Sequence, residues 1–252
     1  MTDQRDVVEF GGAGPGILLL HGLMGRATTW WGTARWLSGH GRVVGVDARA
    51  HGRNPHRKHC DTEQFAADAA DRIRDLRLGP SVVIGHSMGG LHAIALAAGY
   101  PDLVRGIVVV DMAPDNRGRT AEVWRPYLES WPAFQSLAHV RDFFGPAGDY
   151  FVECVEEHED GYRLIGDLHE MFEIAQEWGR RDYWDLVAGV RCPMLVIEAG
   201  ESPMPPGQLA EMARRAGGDA RHVRIHGAGH IVHEDAPLEF RYVVETFLDQ
   251  FT

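Results

Sequence analysis

The segment Gly85-His86-Ser87-Met88-Gly89 constrains the fold more than any other part of the chain. It follows a short apolar run, Ser81-Val82-Val83-Ile84, and leads into a small-residue stretch from Leu91 to Gly99. A brief apolar run, a glycine-rich corner and a helical pattern describe strand, sharp turn, helix, with a serine at the apex. In that setting Gly-x-Ser-x-Gly has the form of a nucleophile elbow, which lifts the serine oxygen above the edge of a parallel sheet. The glycines have a physical role, because a corner this tight needs backbone without a Cβ and close neighbours. The plain alternative is a glycine-rich turn capped by a serine. The strand before it and the helix after it favour the elbow.

The rest of the chain repeats the strand-helix rhythm. Gly16 to Leu20, Val43 to Val46, Val82 to Ile84, Ile107 to Val110, Met194 to Ile197 and Val223 to Ile225 are short apolar runs. Runs without polar alternation fit strands buried on both faces. Between them lie helical patterns. One is announced by Asp61-Thr62-Glu63-Gln64, with Asp61 as cap and Gln64 reaching back, and carries Phe65, Ala69, Ile73 and Leu76 on one face. A last helix is expected from about Leu238 to Phe251, with Pro237 near its first turn. The expected class is α/β, a mostly parallel sheet with helices on both faces.

From about Ala113 to Ala188 the rhythm stops. No strand is evident there, and aromatics crowd the segment, among them Trp124, Tyr127, Phe134, Phe144, Tyr150 and Phe151. It is too long for a loop. The reading is an inserted helical cap, 113–188, on a core made of 1–112 and 189–252. A second small domain with its own core is the alternative. Most of the aromatics must pack an interior either way.

Bulk properties bound the partners. The 252 residues suit one large α/β unit with an insertion. A net charge of −11, with no basic stripe, speaks against a nucleic-acid partner. No apolar stretch reaches the ~18 residues of a membrane helix. Met1 to Glu9 is polar and unlike a signal peptide, so a cytoplasmic protein is expected. Three scattered cysteines, Cys60, Cys154 and Cys192, do not make a disulfide framework.

A serine hydroxyl needs a base within hydrogen-bond reach to act as a nucleophile. The chain has 14 histidines, so position must decide. His230 ends Gly227-Ala228-Gly229-His230, between the last expected strand and the last helix. That loop belongs to the carboxyl edge of the sheet, the same edge as the elbow. His230 is the candidate base. His233 is the rival, and reads more simply as a packing or capping residue. Backbone N–H groups that stabilise a developing oxyanion are expected from Leu23, in His21-Gly22-Leu23-Met24-Gly25, and from Met88 after the serine. Read plainly, His21-Gly22 is only a tight turn.

These residues resemble the α/β-hydrolase family across nearly the whole chain. His-Gly-x-x-Gly, Gly-x-Ser-x-Gly-Gly and Gly-x-Gly-His occur in that family's order, and Asp47-Ala48-Arg49-Ala50-His51-Gly52 looks like its Asp-x-Arg-x-x-Gly segment. The triad order of the family is Ser, then Asp or Glu, then His. The resemblance implies Ser87 as nucleophile and His230 as base. The acid departs from the usual pattern. After the strand Met194 to Ile197 the turn reads Glu198-Ala199-Gly200-Glu201-Ser202-Pro203, with Ser202 where the acid is expected. A neutral serine cannot stabilise an imidazolium as a carboxylate does. Asp111, in Asp111-Met112-Ala113-Pro114, looks like the acid-bearing segment of small bacterial serine esterases with a helical cap. Asp111 is the expected acid and Glu201 the alternative.

The resemblance implies a serine hydrolase acting through an acyl-enzyme on an ester of a small, largely apolar substrate, without cofactor. Thioesterase, lactonase, perhydrolase and carbon–carbon hydrolase activities use the same residues. A non-catalytic ligand-binding member of the fold is the remaining alternative. No metal site is read: His51, His56, His59 and Cys60 lack a ligand spacing, and His230-Ile231-Val232-His233-Glu234 has the wrong order for a zinc helix. Gly11-Gly12-Ala13-Gly14-Pro15-Gly16 precedes a strand instead of opening a helix, so it is not read as a phosphate loop.

Overall fold

The computed structural model describes residues 5–56, 58–119, 126 and 129–251. Seven strands form one sheet: β1 (Val7–Gly11), β2 (Gly16–Leu20), β3 (Arg42–Val46), β4 (Ser81–His86), β5 (Val104–Val110), then β8 (Met194–Ala199) and β9 (Ala220–Ile225). Their spatial order is β1-β3-β2-β4-β5-β8-β9. All neighbours pair in parallel except β1, which runs antiparallel along β3. The mostly parallel α/β class expected from the sequence is what is found. β1 is an addition, since Val7 to Gly11 carried no strong strand pattern.

The period of two along each strand sorts the core into two layers. Leu18, Leu20, Val44, Val46, Val83, Ile107, Val109 and Val196 face one layer. Ile17, Leu19, Val43, Val82, Ile84, Val108, Val110 and Ile197 face the other. The first layer is covered by α2 (Thr62–Asp75) and α3 (Met88–Gly99), the second by α1 (Trp31–Leu37) and the late helix α10 (Pro237–Leu248). In α2 the expected face Phe65, Ala69, Ile73 and Leu76 is buried. Asp61 caps it by accepting from the Gln64 N–H. The reciprocal half of that box is absent, because the Gln64 amide donates to Asp68 instead. The last helix stops at Leu248 and finishes as a 3-10 turn, Asp249–Phe251.

Between β5 and β8 lie α4 (Leu137–Phe144), α5 (Gly148–Val152), α6 (Leu168–Arg180) and α7 (Trp184–Gly189). The expectation of a strandless segment needs correction. Strands β6 (Val155–His158) and β7 (Gly161–Leu164) form an antiparallel hairpin there. Trp124 and Tyr127 fall outside the described residues. Two short helices complete the chain's order: α8 (Gln208–Arg215) and α9 (Val232–Asp235). Among the described residues, no helix is long and apolar enough to cross a membrane.

Register positions the site. His86 pairs with Val110, and Val110 with Ile197. One residue further on, the Ser87 N–H donates to the Val110 carbonyl at 2.8 Å, and the Asp111 N–H donates to the Ile197 carbonyl at 2.8 Å. The ladder therefore continues one step past the strand ends. His21, Asp47, Ser87 and Asp111 each follow directly on β2, β3, β4 and β5, at one edge of the sheet.

Candidate active site

Ser87 sits at φ 51° and ψ −121°, a conformation that L-residues rarely adopt. Such strain costs of order 1–3 kcal/mol and persists only where the surroundings enforce it. Here the enforcement is close packing. A Cβ on Gly85 would strike the Gly89 carbonyl, and one on Gly89 would strike the carbonyls of Leu20 and His21. The two glycines let β4 turn into α3 within one residue and let the corner rest on β2. Ser87 also stands at the positive end of α3, where unpaired N–H groups gather.

Asp111 and His230 are brought together. Nδ1–H of His230 donates to Oδ2 of Asp111 at 2.7 Å. That bond puts the ring proton on Nδ1 and leaves Nε2 with the lone pair. Asp111 is fully buried and has φ 49°. Its other oxygen, Oδ1, accepts from the Ala199 N–H at 3.0 Å and from the Ser202 hydroxyl at 2.7 Å. Ser202, at the place where the family's acid is usual, thus serves the displaced carboxylate. Sequence reasoning missed this, although the odd serine in the acid position was the signal. Glu201 is not brought to His230: its side chain is exposed, and its N–H donates to the Ala228 carbonyl.

Among the described residues, no acceptor takes the N–H of Leu23 or of Met88. The turn ahead of them is held by His21. Its Nδ1–H donates to the Gly22 carbonyl at 2.8 Å and its Nε2 accepts from the Ala48 N–H at 2.9 Å. Burial depresses its pKa, so it stays neutral. Asp47 braces the same edge, accepting from the Ala27 N–H at 2.6 Å and the Arg53 N–H at 2.7 Å.

Ser87, His230, Leu23 and Met24 line a cavity of about 550 Å³. Its remaining wall comes largely from the segment between β5 and β8, through Phe144, Pro146, Ala147, Tyr150 and Phe151. Phe144 and Phe151 stack with centroids 3.9 Å apart. Other aromatics of the segment, such as Phe134 and Trp178, are buried in packing. His233 packs on Trp30, with centroids 4.3 Å apart. Of the histidines set aside as metal ligands, His51 is fully buried, its Nδ1–H donating to the Arg49 carbonyl at 2.7 Å; His56 and His59 are exposed. Among the described residues, no group of three or more side chains is placed to hold a metal ion.

A strained serine and an imidazole bonded to a buried carboxylate at one cavity form an arrangement that can support nucleophilic chemistry. A sequence profile of the alpha/beta hydrolase family matches residues 17–241, and the chain belongs to that family. It is 42% identical to the sn-1-specific diacylglycerol lipase ABHD11 of Mus musculus, over 93% of this chain and 81% of that one. It is 26% identical to esterase YbfF of Escherichia coli, over 92% of each chain. The crystal structure of E-2-(acetamidomethylene)succinate hydrolase superposes with a TM-score of 0.85 at 25% identity, covering 96% of this chain and 94% of that one. The protein is a hydrolase of this family.

Proposed function

We propose that the protein cleaves a carboxylic ester of an apolar acyl group through a covalent acyl-enzyme. Ser87 attacks the carbonyl carbon, and Nε2 of His230 takes the hydroxyl proton. Asp111 holds the imidazole in the tautomer that leaves Nε2 basic and stabilises the imidazolium that forms. The N–H groups of Leu23 and Met88 receive the oxyanion. His230 returns the proton to the departing alcohol. Water then attacks the acyl-Ser87 ester by the same route in reverse, releasing the acid. No step draws on a cofactor.

The observation that carries this reading is the 2.7 Å His230–Asp111 bond beside a serine strained into the elbow conformation. The substrate class rests on the cavity wall. Leu23, Met24, Phe144, Phe151 and Ile231 offer it an apolar lining, which suits an acyl chain better than a polar group. The 42% identity to a diacylglycerol lipase adds support for glycerolipid-like esters. On this reading, segment 113–188 acts as the cap that shields the acyl group. The test is hydrolysis of p-nitrophenyl esters from acetyl to dodecanoyl, and of a diacylglycerol, by wild type and Ser87→Ala. Turnover by wild type alone is expected, with the preferred chain length sizing the cavity. Equal turnover by both proteins, or by neither, would contradict the reading.

A further inference from the structure

We propose that His86, the residue before the nucleophile, is a positioning residue that ties the loop of the catalytic base to the nucleophile strand. The inference rests on the reading of His230 as base. His86 is the last residue of β4 and is buried. Its Nε2 lies 2.9 Å from the carbonyl oxygen of His230. A carbonyl can only accept, so Nε2 carries the proton and donates.

The ring is wedged between the two halves of the site. Its centroid is 4.8 Å from that of His230 and 5.0 Å from that of His233. On the other side, a Cβ on Gly22 would come within 2.9 Å of its Nδ1. That Nδ1 is buried without a partner. An unsatisfied buried acceptor costs roughly 1–3 kcal/mol, which an apolar side chain of similar size would avoid. What the imidazole provides in return is the Nε2–H. Burial pushes the pKa of His86 well below the ordinary histidine value, so the ring keeps one proton and does not compete with His230.

The loop Gly227 to His230 has other tethers. The Glu201 N–H holds the Ala228 carbonyl at 2.9 Å, and Oδ2 of Asp235 holds the Gly229 N–H at 2.9 Å. Neither partner belongs to the nucleophile strand: Glu201 follows β8 and Asp235 ends α9. The His86 bond differs because its donor is covalently next to Ser87. His86 therefore fixes the backbone of the base to the nucleophile strand, while Asp111 on the neighbouring strand holds the ring. A misplacement of ~1 Å in such a pair costs roughly 10²-fold in rate.

The experiment compares His86→Phe, His86→Asn and His86→Gln in the full chain. Phenylalanine keeps the ring packing without the donor, asparagine is too short to reach, and glutamine can place an amide N–H near the His230 carbonyl. Hydrolysis of a p-nitrophenyl ester is expected to lose roughly 10²-fold in kcat for Phe and Asn, with KM nearly unchanged. Gln should recover most of that loss. The far-downfield proton resonance of the His230–Asp111 bond should broaden in Phe and Asn and stay sharp in Gln. If Phe does not fold, the Asn and Gln pair decides. Wild-type kcat in Asn or Phe, or equal loss in Asn and Gln at equal melting temperature, would overturn the proposal. A failure of the base assignment itself would show separately, as full activity in His230→Ala.

Discussion

At the scale of single residues, the acid decides how the site works. Asp111 receives three hydrogen bonds, from His230, Ser202 and the Ala199 N–H. Replacing Asp111 by Asn keeps the shape but favours the wrong imidazole tautomer, so kcat should fall by about 10⁴-fold. Ser202→Ala removes one donor to a buried carboxylate while leaving the Ala199 N–H. A hydrogen bond to a charged group contributes about 1.5–3 kcal/mol, so a loss of roughly 10- to 100-fold in kcat is expected. Steady-state kinetics on one p-nitrophenyl ester checks both; a Ser202→Ala enzyme with wild-type kcat would reduce that serine to a bystander. Glu201→Gln should leave kcat within about two-fold, the size of an ordinary surface substitution. Ser87 and His230 were legible as candidates in the sequence because each closes a strand or loop pattern; Asp111 was favoured over Glu201 only through the family resemblance. The service of Ser202 to Asp111 was not legible, since it joins ends of two strands whose adjacency only the sheet order reveals.

At the scale of elements, the elbow is held by absence of side chains. Gly89→Ala would drive a methyl group into the backbone carbonyls of Leu20 and His21, which cannot swing aside. Overpacking against backbone should destabilise by about 3 kcal/mol, the upper end of the usual range, read as a lowered urea midpoint. An unchanged midpoint would mean the corner is looser than its geometry. The cap at Asp61 is a milder case. Asp61→Ala removes the acceptor for the Gln64 N–H and should cost about 1 kcal/mol. The central strands were legible because they are apolar on both faces. The hairpin β6–β7 was not, for a physical reason. Val155-Glu156-Glu157-His158 and Gly161-Tyr162-Arg163-Leu164 are mostly exposed or half-buried, so no alternation marks a buried face. The loop itself is Glu159-Asp160, with Gly161 already paired to His158 at φ 126°, so the chain does not carry Asp-Gly at the two loop positions where it marks a hairpin.

At the scale of the whole molecule, acid should undo the fold through its buried histidines. Burial pushes His92 and His233 down to about 3, and lowers His86 as well. Above pH 6.5 all three are neutral in folded and unfolded chains and make no difference. Between 6.5 and about 3 the unfolded chain binds protons that the folded chain refuses. Stability therefore falls as pH drops through that window, by roughly 1.4 kcal/mol per pH unit for each such histidine. His92 stacks on Phe65 at 4.1 Å, so His92→Phe preserves the ring contact. That variant should lose about one proton's worth of the pH slope in urea titrations between pH 4 and 6. An unaltered slope would mean that other groups carry the acid sensitivity.

The proposed chemistry passes through one covalent event at one serine. Diethyl p-nitrophenyl phosphate transfers a diethylphosphoryl group to an activated serine and leaves an ester that water does not readily cleave. Intact mass and peptide mapping during inactivation read the outcome directly. The expected result is one diethylphosphoryl group per chain on Ser87, gained in step with loss of esterase activity and much slower in His230→Ala. Full activity in the labelled protein, or inactivation with the label on another residue, would rule out Ser87 as the nucleophile.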